Sequence, residues 1–133
     1  MFRDAIDYSK VRLVRKKWWP FQPKDTVMAP TGNLHFHPGS RLWSDDFAKE
    51  PLWKQGLFIH EMTHVWQAQT RGRLFLPLMR HPFCQYSYTV QDGQPFERYG
   101  VEQQAEIVAH LFLKQHGAEP PVVCPPRSIL PFA

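Results

Sequence analysis

Two cysteines in 133 residues, Cys84 and Cys124, are too few for a disulfide scaffold, and no Cys-x-x-Cys pair offers a metal knuckle. Two free, buried thiols are the expectation; a bond between them requires an oxidising destination. Long apolar runs are missing too. None approaches the roughly 20 residues that cross a bilayer, so no membrane span is expected. Met1-Phe2-Arg3-Asp4 lacks the apolar stretch of a secretory leader, so synthesis in the cytoplasm is expected, with any export left to a dedicated machine. Charge of one sign is scarce: 16 basic residues against 12 acidic ones leave +4. The excess sits in Lys10, Arg12, Arg15, Lys16 and Lys17, beside Trp18 and Trp19. That segment reads as a solvated strand face, and no nucleic-acid partner is expected. Internal repeats are absent.

Apolar residues make up 43% of the chain, with five Trp and ten Phe, which excludes disorder for the whole. The length suits one domain, residues 1–133, large enough for a single core. Residues 10–15 partly alternate apolar with basic and read as a half-buried strand. Residues 26–29 and 34–37, divided by Pro30-Thr31-Gly32-Asn33, read as two more, paired as an antiparallel meander or hairpins. Residues 84–90 alternate as well and predict a further strand before a turn at Asp92-Gly93. Pro51 and Gly72 frame a long helix. A second runs over about 101–116, from Gly100 to Gly117. The tail, residues 118–133, contains Pro120, Pro121, Pro125, Pro126 and Pro131 and is expected to lie extended over the surface. The fold class is α+β: a small antiparallel or mixed sheet packed on two long helices.

The chemistry concentrates in Leu57-Phe58-Ile59-His60-Glu61-Met62-Thr63-His64-Val65-Trp66-Gln67. Phe58, Met62, Val65, Trp66 and Gln69 keep helical spacing, so a mainly apolar stripe accompanies the polar one. On a helix His60 and His64 lie one turn, about 6 Å, apart on one face. Two imidazoles so placed can reach one zinc ion. Glu61, about 100° around the axis, lies beside the metal and can take a proton from metal-bound water. The alternative is a surface amphipathic helix with two incidental histidines.

The motif asks for a third ligand. Glu102 and Glu106, also four residues apart on a helix, supply a carboxylate pair on one face. Glu102 is assigned as the third ligand, completing a two-histidine, one-carboxylate site. Glu106, one turn on, is assigned to accept the free N–H of a ligating imidazole and fix its orientation. Two exposed glutamates on an amphipathic face are the alternative.

His60-Glu61-x-x-His64 followed by Glu102-x-x-Ala105-Glu106 resembles the gluzincin branch of the zincin metallopeptidases. The resemblance implies the same roles for Glu102 and Glu106, although Glu106 stands where that branch more often has Asp. The metzincin pattern does not fit, because Gln67 and Thr70 occupy its Gly and His positions. Residues 32–39, 57–67 and 99–108 together look like small bacterial zincin-like proteins of the Rhs- and Vgr-related group, linked to type VI secretion. That resemblance implies a minimal gluzincin fold, a zinc cofactor and a secretion-system effector role with a secretion-system component as partner.

His35 and His37 share one face of a strand, where they line a cleft, form their own metal site with other donors, or have no role. His110, Tyr86, Tyr88 and Tyr99 are candidates for lining the cleft or donating to a developing oxyanion. The function expected is zinc-dependent hydrolysis of peptide bonds in a peptide or protein substrate, with Glu61 as general base. Two alternatives remain open. One is a non-catalytic, zincin-shaped adaptor that docks on a secretion apparatus; the other is a peptidoglycan amidase or endopeptidase with the same metal chemistry.

Overall fold

The computed structural model describes residues 1–81 and 83–132. It is mostly helical with a small sheet. Strands β1 (Leu13–Val14) and β2 (Leu34–His35) pair in parallel, with Leu13 opposite Leu34. Helices α1 (Leu52–Arg71), α2 (Phe75–Met79) and α3 (Val101–Gln115) follow. The two long helices lie within a residue or two of the expected bounds, because their caps are legible. Pro51 precedes α1, and Gly72, at φ +97°, turns the chain out of it while its N–H bonds Ala68 O at 2.9 Å.

The sheet fits the mixed alternative and not the antiparallel meander. Its two named strands are parallel, and the only antiparallel pairing among the described residues is the single bridge Met28–His35. The strands stay short because side chains take over the ladder's work. Asn33 Oδ1 accepts from Arg12 N at 2.9 Å, and buried Gln22 donates to Thr26 O and His35 O at 2.9 and 2.8 Å. Residues 84–90 form no strand. They run alongside α3, where Gln103 Nε2 donates to Ser87 O at 2.7 Å.

The tail also departs from expectation. Leu130 is buried, and the Phe132 ring packs against Phe2, Trp66 and Phe96 at 4.9, 5.2 and 6.4 Å. Prolines 120–131 thus return the chain to the core, where its last apolar residues close the end formed by the N-terminal segment and α1.

Every residue of α1 from His60 to Ala68 is buried. A helix covered on all sides usually carries an apolar stripe all round. Here Glu61, Thr63, His64 and Gln67 are among the covered residues, and each polar atom needs a partner or a purpose. The cover on one side is α3, which approaches so closely that a Cβ built on Gly56 would stand 3.0 Å from Leu113 Cδ2. Gly56→Ile is therefore expected to cost about 2 kcal/mol by forcing the helices apart, read as a lower denaturation midpoint.

Candidate metal centre

Where α1 crosses α3, three side chains point at one another. Glu102 Oε2 lies 3.0 Å from His64 Nε2 and 3.3 Å from His60 Nε2, and the three donor atoms all fall within 4.8 Å of one another. His64 and Glu102 are about 1% exposed, so water does not soften their encounter.

The surrounding hydrogen bonds fix which nitrogen carries each proton. Gln104 Nε2 donates to Tyr99 O at 2.8 Å, leaving its Oε1 to accept from Gln67 Nε2 at 3.0 Å. Gln67 Nε2 also donates to Val101 O, so Gln67 Oε1 is left to accept the His64 Nδ1–H at 2.8 Å. In parallel, His60 Nδ1 meets Glu106 Oε1 at 3.0 Å, and a carboxylate can only accept. Both imidazoles thus present Nε2 lone pairs toward the acceptor-only oxygen of Glu102. Three lone pairs at this spacing repel unless a cation lies between them. The two His–Glu edges, 3.0 and 3.3 Å, fit a tetrahedral ion whose bonds are roughly 2.0–2.1 Å long. The residues therefore suit a metal ion.

Without a metal, a proton does that work. Burial alone pulls the His60 pKa down, but hydrogen bonding to Glu102 and Glu106 outweighs it and raises the group to about 10. Burial works against the Glu102 carboxylate as well, yet its contacts with His60 and His64 hold it far below the usual range. The His60 contact similarly lowers Glu106. The His60 pKa is raised on folding, so its stabilising contribution is complete below pH 6.5 and lost as pH rises toward about 10. Chelator-treated protein should accordingly lose denaturant resistance across that window. Metal-loaded protein, with no Nε2 proton on His60 to lose, should not.

Glu61 sits beside these donors. Its Oε2 is buried with no hydrogen-bond partner among the described residues. Burial raises its pKa, opposed by His64, His60 and Arg80. A carboxylate so placed is a stronger base than an ordinary surface one. Arg80 stands 2.7 Å from Glu102 Oε1 through Nε, although that oxygen accepts no well-directed hydrogen bond. The contact is an ion pair, and it leaves Oε2 as the single oxygen turned to the histidines. A cavity of about 310 Å³ opens beside Glu102, lined also by Met79, Phe83, Cys84 and Val101.

The other candidates separate by location. The Tyr86 ring stacks on His60 at 6.2 Å and 17°, at the mouth of the site and half exposed. His110 lies behind Glu106, with Nε2 3.3 Å from its Oε2 and Nδ1 2.9 Å from the Tyr88 hydroxyl. Tyr88 in turn donates to Cys124 Sγ at 3.8 Å. A polar chain therefore runs back from His60 through Glu106, His110 and Tyr88. Tyr99 is buried edge-on against Tyr88. His35 is held in β2, and His37 Nδ1 accepts from Gly39 N at 2.9 Å.

Sequence reasoning missed Gln67, Gln104 and Arg80. Gln67 was within reach, since it follows His64 by three residues and shares its helix face. Arg80 follows α2 on a segment with no periodicity, so nothing in the sequence pointed to it. Gln67→Ala should strand two buried polar groups, His64 Nδ1 and Gln104 Oε1, costing about 2 kcal/mol. Loss of the His64 orienting bond should also weaken metal affinity roughly 10–100-fold, read by competitive chelation.

Fold and site define a class: a mostly helical domain with a minimal sheet and a metal-capable His-His-Glu cluster between its two long helices. The particular family follows from comparison. The solved effector domain of Pseudomonas aeruginosa VgrG2b matches with a TM-score of 0.75 and 41% identity, over 87% of this chain and 68% of that one. The chain belongs to that effector-domain family. It is also 42% identical over 122 residues to the type VI secretion system spike protein VgrG2b of Pseudomonas aeruginosa, covering 87% of this chain and 12% of the spike protein's length. No family model matches the chain.

Proposed function

We propose that the chain is a zinc metallopeptidase of the gluzincin type, acting as a type VI secretion effector. The observation that carries this reading is the meeting of two Nε2 lone pairs and one carboxylate oxygen beside Glu61, whose buried Oε2 has no partner among the described residues. His60, His64 and Glu102 would hold the zinc. When bound, the ion supplies Lewis acidity toward water and a carbonyl oxygen.

The chain's own groups account for the remaining chemistry. Glu61 Oε2, unpartnered and raised in pKa by burial, accepts the proton of the attacking water and returns it to the leaving amine. Glu106 and Gln67 hold the two imidazoles so that Nε2 faces inward. Arg80 keeps Glu102 to one donor oxygen. Tyr86, whose ring stacks on His60, would donate to a developing oxyanion.

Kinship with a spike protein of a secretion system supports export by such a system. No helix among the described residues is long and apolar enough to cross a membrane. The test is a mixed peptide library incubated with zinc-loaded and chelated protein. Cleavage that depends on zinc supports the reading. Cleavage that persists after chelation, or none from a zinc-replete sample on either peptides or peptidoglycan fragments, rejects it.

A further inference from the structure

A surface next to the metal centre combines exposed apolar side chains with arginines. Helix α2 buries only Leu76, while Leu74, Leu78 and Phe83 around it are 69%, 80% and 85% exposed. Between Glu61 and Asp92 the sequence contains no acidic residue, yet it carries Arg71, Arg73 and Arg80. Arg80 is committed to Glu102. Among the described residues Arg71 and Arg73 enter no ion pair; the Arg71 guanidinium lies over the Phe75 ring at 5.2 Å, and Arg73 borders a cavity shared with Lys10. Large apolar side chains therefore project from a short helix whose N-terminal flank carries two arginines without an ion pair among the described residues.

We infer that this face docks on an anionic lipid surface, with Leu74, Leu78 and Phe83 entering the headgroup–acyl boundary and Arg71 and Arg73 meeting lipid phosphates. Shape and charge select this occupant. Leu74, Leu78 and Phe83 project from the surface and fit a medium that yields around them. A second copy meeting the same face would bring arginines against arginines. Anionic headgroups complement the cations, and the acyl boundary accepts the leucines and phenylalanine. Because Met79 and Phe83 also line the cavity beside Glu102, docking would hold the metal centre close to the bilayer plane. The inference is independent of the peptidase reading.

The test is co-sedimentation of the full chain with vesicles of phosphatidylglycerol and phosphatidylethanolamine, against vesicles of phosphatidylcholine alone. Wild-type protein is expected to bind the anionic vesicles and to release in high salt. Replacing two projecting leucines together, Leu74→Asn with Leu78→Asn, should weaken partitioning about tenfold or more. Arg71→Gln with Arg73→Gln should weaken it about fivefold per arginine. All four positions lie outside the metal cluster, so circular dichroism should show folded protein in each case. Equal binding to both vesicle types, or binding unaffected by both pairs of substitutions, overturns the inference. So does the absence of vesicle binding, including the case where the leucine pair instead dissolves a dimer in solution.

Discussion

Glu61→Gln should reduce peptide hydrolysis by roughly 10²–10⁴-fold while leaving bound metal unchanged. The amide matches the carboxylate in size, so nothing in the crossing of α1 and α3 needs to move. What it removes is the ability to accept a proton, and Glu61 Oε2 is a buried oxygen with no hydrogen-bond partner among the described residues. The accompanying stability change has a definite sign. Burial raises the Glu61 pKa, so its cost to folding begins as the pH climbs past the ordinary value of 4.5 and is complete above the raised one. Gln relieves that cost, and the thermal midpoint should rise or hold while turnover falls. A residue kept for packing alone would move both quantities downward. Metal content, turnover and thermal midpoint measured on one preparation check all three parts.

Glu102→Ala should have the second large effect, on metal and on fold together. With two imidazoles left, zinc affinity should fall on the order of a thousandfold, a fraction of the roughly 10–16 kcal/mol that full zinc sites supply. The metal-free protein should suffer as well. Glu102, at 1% exposure, faces His60, His64 and Arg80 within 3.3 Å or less. Removing it strands buried positive charge, which costs about 3–5 kcal/mol. Titration with zinc in a competing chelator and denaturant melts in excess chelator separate the two effects. Unchanged zinc affinity would mean that Glu102 is not a ligand.

The parts of this molecule legible in its sequence are those governed by helical periodicity. Once Pro51 and Gly72 bound one helix and Gly100 and Gly117 bracket the other, spacing alone puts His60 with His64 and Glu102 with Glu106. The convergence of those faces is what the structure adds. The sheet was less legible because two-residue strands leave almost no alternation to read, and Gln22 and Asn33 supply bonds that a longer ladder would have made. Residues 84–90 alternate as a strand would, but the neighbour they meet is α3, so the pattern places Tyr88 inward without a ladder. The tail misled through its prolines, which announce an extended path and say nothing of where Leu130 and Phe132 end. Arg80 reaches Glu102 from a segment after a five-residue helix, a long-range pairing that no local pattern encodes.

Zinc-edge X-ray absorption on the purified, zinc-loaded chain tests the central claim most directly. The account predicts one zinc per chain with nitrogen and oxygen donors at roughly 2.0–2.2 Å and no sulfur. Zinc bound through sulfur at about 2.3 Å, or a chain that retains no zinc after loading, would contradict it.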